Sequence, residues 1–323
     1  MERGRHEEVA PDDRTSVLAS AAWFYYIDGL TQAEIAQRML TSRATIGRLL
    51  QEARDTGIVR ISIDPSTLAT MGLSRKLCQR FELEDALVIP RRSDSGATMS
   101  INRRIAIAAA SYLERYLKPD AVIGFGWGDT IMNVLFSIRH ESLDGVTFAS
   151  VAGGIDRYSR EVFAQGNGVQ AHLQLIPAPL VVNSPDTANA LRQDSSVSRV
   201  LELSRTAVAT ITGIGGAETT ASSVRAGLYS PSAITSIAEL GAVGDMLGEW
   251  FDAEGKVVPD ATSDRRIGME LQELLSMPHV IGIAAGPDKV TAIRAALLGG
   301  YLDALVTDEE TAEQLIDGPQ TAH

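Results

Sequence analysis

From residue 86 onward the chain repeats one theme: a short apolar run, a turn rich in Gly or Pro, then a stretch with helical periodicity. This alternation constrains the fold more than any other feature. Strands joined through helices pair in parallel, and a parallel sheet must be covered on both faces. Seven runs read as strands, at 86–89, 121–125, 146–151, 180–182, 208–211, 280–284 and 304–306. The expected fold class is α/β, with a Rossmann-like α/β/α domain whose ligands sit beyond the carboxyl ends of the strands.

With 323 residues, 45% of them hydrophobic and 22% charged, the chain can fill a large core and has the length of two domains. Its single cysteine, Cys78, excludes an internal disulfide framework and a four-cysteine zinc site, and fits a reducing compartment. No apolar run reaches the length of a membrane-spanning helix, and the start MERGRHEEVAPDD has no apolar signal core. The expectation is a cytoplasmic protein with no membrane partner. A net charge of −12 argues against a surface that coats nucleic acid throughout. Charge is nevertheless uneven, because Arg38, Arg43, Arg48, Arg54 and Arg60 outnumber Glu34, Glu52 and Asp55 within residues 31–60.

Four segments are expected along the chain. Residues 1–14 are polar and carry no apolar period, which predicts a flexible arm. Residues 15–64 are helical with short loops, and Asp64-Pro65-Ser66 reads as a break. Leu68, Met71, Leu77 and Phe81 suggest a connecting helix over 65–82, ahead of the larger domain at 83–318.

The most informative stretch is LTQAEIAQRMLTSRATIGRLLQEARDTGIVRI. Thr31 and Glu34 form a capping-box pattern, with Ile35, Ala36 and Met39 facing inward. A tight turn about Leu40 and Thr41 leads to Ser42, a good N-cap for a second helix. On that helix Ile46, Leu49, Leu50 and Ala53 fall at i, i+3, i+4 and i+7 and should pack inward. The outer face then offers Ala44, Gly47, Arg48 and Gln51, flanked by Arg43 and Thr45. This pattern describes a helix-turn-helix whose second helix can enter a major groove of double-stranded operator DNA. Arg48 and Gln51 can read base edges, and Arg43 and Arg54 suit phosphate. The candidate DNA-contacting set is Thr31, Gln32, Arg43, Ala44, Thr45, Arg48, Gln51 and Arg54.

In the larger domain, AVIGFGWGDTIMNVL reads as a strand, a glycine turn (Gly124, Gly126, Gly128) and a helix capped by Asp129 or Thr130. Free amides at such a helix start suit a phosphate or sugar hydroxyls. The turn is not a dinucleotide fingerprint, since Asp129 breaks G-x-G-x-x-G, and no phosphate-cradling G-x-x-x-x-G-K-[ST] occurs. A second signal is VIGIAAGPDKVTAIRAALL, which places Lys289 in the first turn of a helix, against the helix dipole unless an anion binds there. Asp245, in GAVGDMLGEW, lies among glycine and apolar neighbours, a poor place for an unpaired carboxylate. Gly153, Gly154, Gly213, Gly215 and Gly216 follow other apparent strands and are expected to line the same rim. Thr307 to Glu310 reads as a capping box with a structural role only.

WFYYIDGLTQAEIA followed by SRATIGRLLQEARDTGIV resembles the start of the sorbose-operon-type (SorC) transcriptional regulators, and GAVGD, AAGPDK and GGYLDALVTDEETA resemble their effector domain. The likeness covers nearly the whole chain after the flexible start. It implies a regulator of carbohydrate genes controlled by a small sugar, sugar phosphate or polyol, with an effector domain related in fold to sugar-phosphate isomerases and deaminases. It also implies that Asp245 and Lys289 contact the effector, that Gly126, Trp127, Gly128, Asp129 and Thr130 form part of the pocket, and that the protein is a homotetramer; Gly153, Gly154 and Gly215 join the effector-binding set by their place after strands. Two departures stand out. Leu40 and Thr41 replace the usual Gly and aliphatic residue of the turn, and Gly47 replaces a Ser. A mid-helix glycine costs about 1 kcal/mol relative to alanine, so the recognition helix is expected to firm up on DNA.

The competing reading is a sugar-phosphate isomerase or deaminase. Such chemistry needs a carboxylate base beside an acid or histidine. Asp129 and Asp245 are base candidates, but the five histidines (6, 140, 172, 279, 323) fall in no catalytic motif. No H-E-x-x-H, G-x-S-x-G or metal-ligand cluster is present. The sequence therefore predicts no catalytic residue, no metal and no cofactor.

Overall fold

The computed structural model describes residues 13–59, 65–91, 99–139, 142–154, 172–219, 221–225 and 227–318. The chain divides into two compact units between Asp64 and Pro65.

The first unit is built from α1 (Asp13–Tyr26), α2 (Gln32–Arg38) and α3 (Arg43–Asp55). Residues 1–12 of the expected arm lie outside the described residues. Asp13 and Arg14 already belong to α1, where Arg14 Nε donates to Glu52 Oε1 at 3.0 Å and so ties the helix start to α3. The capping box at α2 forms in both directions, Glu34 N donating to Thr31 Oγ1 at 3.3 Å and Thr31 N to Glu34 Oε2 at 2.7 Å. Ser42 caps α3 by accepting from Thr45 N at 3.1 Å. Ile46, Leu49, Leu50 and Ala53 pack with Ile35 and Ala36 against Leu18, Ala21 and Ala22. Met39 is only half-buried, because α2 ends before it and it serves as C-cap. α3 is a continuous helix through Gly47, packed on its inner side by Ile46, Leu49, Leu50 and Ala53.

The second unit begins with α4 (Pro65–Phe81). This segment is part of the larger domain's core, since Leu77 is fully buried and Leu73, Cys78 and Phe81 pack around it. A seven-stranded sheet follows, all parallel, in the order β1 (Asp85–Ile89), β10 (Ala304–Asp308), β9 (Val280–Ile283), β5 (Ala209–Gly213), β2 (Val122–Phe125), β3 (Thr147–Ser150) and β4 (His172–Gln174). Helices α5 (Ile101–Leu113) and α6 (Asp129–Ser137) bury Ile105, Ala109, Ile131 and Val134 against Ile123, Phe125, Ile211, Ile283 and Val306 on one face. On the other face Leu77, Val197, Leu201, Ile293, Ala296 and Leu315 pack with Val88, Val280 and Leu305. Covered on both sides, the central strands read as continuous apolar runs. The expected α/β class is the observed one.

The structure departs from the expected pattern in three places. Residues 180–182 do not form a strand; Val181 makes one isolated bridge, to Arg266. The seventh strand is instead β4, three residues at an edge with His172 exposed, too short and polar to register as an apolar run. The capping box over Thr307–Glu310 does not form, because both Thr307 and Asp308 remain in β10, paired with Val88 and Ile89, and the next helix starts at Glu309 with no side-chain cap. A small antiparallel sheet, β6 (Gly215–Gly216), β7 (Gly244–Met246) and β8 (Glu249–Phe251), sits on the chain leaving β5.

The strand order fixes where loops can part. From β2 the chain steps outward to β3 and β4, then returns to β5 on the other side of β2 and continues to β9 and β10. The loops after β2 and β5 therefore diverge in opposite directions. That divergence opens a crevice at the carboxyl ends of the strands.

Candidate functional site

In the first unit Arg43, Ala44, Arg48, Gln51 and Arg54 of α3 are exposed, while Thr45 is half-buried. Thr31 is exposed but its hydroxyl is engaged with Glu34 Oε2 at 2.6 Å, and that bond holds the Glu34 carboxyl below its ordinary range. Gln32 is half-buried, its Oε1 lying 3.8 Å from where a Cβ at Gly47 would stand. Gln51 is bonded at both ends of its amide: Nε2 donates to Asp55 Oδ1 at 2.8 Å and Oε1 accepts from Arg54 Nη2 at 2.7 Å. Arg54 in turn donates to Tyr26 Oη at 2.8 Å. The eight residues singled out thus fall on one small helical module, with Gln51 and Arg54 linked to each other. In the turn, Leu40 takes φ 50° and is 95% exposed. It holds a left-handed conformation that favours glycine, and its side chain contributes no packing in exchange.

In the second unit the crevice is a cleft of about 370 Å³. Its floor and rim come from the loops after β2, β3, β5 and β9, with the small sheet as one wall. Trp127, Gly128, Asp129, Thr130, Gly153, Gly154, Gly215, Asp245 and Lys289 all line it. Gly126 does not. It is buried one step earlier, its amide donating to Ile211 O at 2.9 Å, and a Cβ there would meet Leu247 Cδ2 at 2.9 Å. Its role is packing under the cleft.

Gly128 and Gly286 head the chain turns that follow β2 and β9, with φ of 132° and 110°. A Cβ at either would touch nothing, so backbone conformation and not space demands glycine. Gly128, rather than Asp129 or Thr130, is the N-cap of α6, and with no side chain to cap the first turn it leaves that turn's amides to the cleft. Gly153 and Gly215 meet a different constraint. A Cβ at Gly153 would lie 2.6 Å from the carbonyl oxygens of Ala178 and Pro179, and one at Gly215 would lie 2.0 Å from Asp245 Oδ1. Gly215 and Asp245 face each other across β6 and β7, so the carboxylate rests on bare backbone.

Burial pushes the Asp245 carboxyl up to about 6; the Gly248 amide, which donates to it, and Lys289 pull the other way. Lys289 lies at the end of a 3₁₀ turn (Pro287–Lys289) and caps the helix Val290–Leu298. Burial lowers its pKa, Asp245 opposes that, and the nearby Arg225 adds to it. The Lys289 backbone amide donates to Gly286 O at 3.0 Å, but no hydrogen bond or ion pair joins its side-chain amine to another described residue. The two groups therefore feel each other across open space rather than closing on each other. Trp127 is anchored: its indole Nε1 donates to Ala152 O, and its ring meets Phe125 edge-on at 5.3 Å. It presents a fixed wall to the cleft.

Several cleft residues were not anticipated from the sequence. Glu218, Ser223 and Arg225 reach it from the segment after β6, and Ser223 Oγ is buried with no partner among the described residues. Leu247 and Gly248 form the two-residue turn between β7 and β8, both at positive φ, 55° and 74°. The M-L-G-E pattern of that hairpin was the available signal. Behind the turn, Arg266 is 5% exposed and donates to Met269 O at 2.6 Å while pairing with Glu249 at 3.4 Å. Nothing local in the sequence marks it.

Residues 66–317 match the Sugar-bind family of sugar-binding domains. The transcriptional regulator LsrR of Escherichia coli is 35% identical over 303 residues, covering 93% of this chain and 94% of that protein. LsrR of Klebsiella pneumoniae is 34% identical over 309 residues, 93% of this chain and 92% of that one. The full-length sorbitol operon regulator SorC from Klebsiella pneumoniae superposes with a TM-score of 0.69 at 26% identity, over 95% of this chain and 100% of that structure. A DeoR family transcriptional regulator from Listeria monocytogenes gives 0.68 at 27% identity, over 76% of this chain and 99% of the other. These relatives are transcriptional regulators and not enzymes. Among the described residues no group of three or more His, Cys, Asp or Glu could hold a metal ion, and no helix is long and apolar enough to cross a membrane. On the extent of these matches, the chain belongs to the SorC family of transcriptional regulators that carry a sugar-binding domain.

Proposed function

We propose that the protein is a DNA-binding transcriptional regulator of carbohydrate genes whose operator affinity is set by a small sugar, sugar phosphate or polyol held in the cleft. The observation that carries this reading is the Asp245–Lys289 gap: a carboxyl and an amine face each other without closing, at the carboxyl ends of the strands beside a glycine-rimmed helix start. Such a gap suits a hydroxyl-rich ligand, which accepts from the amine and donates to the carboxylate. The cleft carries the carboxylates Asp129, Glu218, Asp245 and Asp288 against the cations Arg225 and Lys289. A phosphate would sit at the Arg225 and Lys289 end, and a polyol chain along the carboxylates. The family resemblance supports a homotetramer working in the cytoplasm.

On the DNA side Arg48 is the reader and Arg43 the phosphate contact, with Thr31, Gln32, Ala44, Thr45, Gln51 and Arg54 completing the surface. Operator binding by fluorescence anisotropy, with the protein's own upstream region as probe, tests this. Arg48→Ala should weaken specific binding about 5- to 150-fold, the loss of one bidentate base contact, and leave ligand binding unchanged. Thermal-shift screening across sugars, sugar phosphates and polyols tests the cleft. Asp245→Ala and Lys289→Ala should blunt the ligand's effect on operator affinity while ligand-free operator binding persists. An unchanged ligand response in both variants refutes the cleft as effector site. A ligand with equal affinity for both operator-binding states would shift nothing, so the response itself is the readout.

A further inference from the structure

Resting on that reading of the cleft, one feature goes beyond a hydrogen-bonding site. Lys289 is half-buried at the cleft, and its side-chain amine has no hydrogen bond or ion pair to another described residue. Across the gap stands Asp245, a carboxyl seated on the Gly215 backbone and fixed by the Gly248 amide. A lysine meant only to hold an anion is best kept charged, and the same cleft already contains a permanent cation in Arg225. Burial in the cleft lowers the hold of Lys289 on its proton, the direction that favours a nucleophilic amine, and the open gap leaves that amine facing Asp245. We propose that the cleft captures the open-chain carbonyl form of a phosphorylated sugar as a reversible imine on Lys289 Nζ, with Asp245 as the acid that releases water.

The atoms balance without any oxidant or reductant. Lys289 passes a proton to the Asp245 carboxylate, and its lone pair attacks the carbonyl carbon. The carbonyl π electrons move to oxygen, which takes the proton released by nitrogen to give a carbinolamine. Asp245 then returns its proton to that hydroxyl, the C–O bond breaks, and water leaves. The product is a protonated imine facing the Asp245 carboxylate, and hydrolysis reverses each step. The raised affinity of the Asp245 carboxyl for its proton, near pH 6, suits it to both directions. The event is stoichiometric capture of an effector, not turnover.

The test uses the full chain with D-glyceraldehyde 3-phosphate, D-erythrose 4-phosphate and D-ribose 5-phosphate, each paired with its alditol phosphate, which lacks the carbonyl. Binding is read by thermal shift, and capture by intact-mass and peptide mass spectrometry after cyanoborohydride. The expected result is saturable addition to Lys289 of one probe's mass less one oxygen, suppressed by the matching alditol phosphate. It should be absent in Lys289→Arg, which keeps the charge, and slowed about 100-fold or more in Asp245→Asn, which lacks the acid. Probes that bind without labelling Lys289 overturn the imine and leave the effector reading standing. Labelling that persists at other lysines but never at Lys289 does the same. If no member of either series binds, both the imine and the phosphorylated effector are rejected.

Discussion

The electrostatics of Asp245 predict that one substitution will stabilise the protein while disabling its cleft. Its carboxyl holds a proton up to about pH 6 in the fold, against an ordinary 3.8, chiefly because burial disfavours the charge. A carboxyl whose pKa rises on folding binds its proton more tightly in the native state than in the unfolded one. Its contribution is therefore neutral below about pH 4, and stability falls as pH rises through 4 to 6, with the full penalty above. From the two values the penalty has a ceiling of about 3 kcal/mol at pH 8 and about 1.6 kcal/mol at pH 5, and solvent entering the open cleft roughly halves both. Asp245→Asn removes the charge at nearly constant shape. It should raise the melting temperature of the ligand-free protein at pH 8 by about 3 to 6 °C, and by about half that at pH 5. Differential scanning calorimetry of the two proteins from pH 5 to 8 reads this directly. A variant less stable than the parent at pH 8, or a gain that does not grow with pH, would refute the placement of Asp245 as a strained, ligand-awaiting charge.

Gly215→Ala brings a Cβ to 2.0 Å from Asp245 Oδ1 and must displace the carboxylate; effector affinity by calorimetry should fall about tenfold, roughly 1.4 kcal/mol. Leu40→Gly releases a left-handed backbone position on a side chain 95% exposed. Relief of about 1 to 2 kcal/mol, less about 0.5 to 1 kcal/mol of added chain freedom, should leave the reading module more stable with operator affinity unchanged. Ile46→Ala empties a fully buried site in that module's core. It should cost about 3 kcal/mol and abolish operator binding, while the thermal shift given by an effector survives.

How much of this was legible in the chain differs between the two units. α2 and α3 are local objects: the Thr31–Glu34 box, the Ser42 cap and the period of Ile46, Leu49, Leu50 and Ala53 act over three to seven residues, so their pattern is written in consecutive positions. The alternation of apolar runs and turns likewise implied a covered parallel sheet, since no other arrangement buries such strands. Failures came where local and non-local signals compete. Thr307 and Asp308 carry capping chemistry, yet pairing with Val88 and Ile89 keeps them in a strand. Leu180 and Val182 are buried by the core without entering the sheet, and the polar edge strand at 172–174 exists only because β3 lies beside it.

The candidate cleft divides in the same way. Glycines after strands, an isolated acid at Asp245 and a lysine at a helix start could be singled out because each violates a local rule. That Gly126 packs inward while Gly128 opens to the cleft depends on Leu247, more than a hundred residues away in sequence. Arg225 and Glu218 break no local rule, so only the fold brings them to the rim, and the same holds for Arg266 behind it. The sequence alone determined the helices of the first unit, six of the seven parallel strands and the break near residue 64, because these follow from short-range patterning of apolar and capping residues. The tertiary structure decided strand order, and with it the point where the loops after β2 and β5 part. An acid from one hairpin and an amine from a distant helix share that space because long-range packing, not the residues between them, sets their distance.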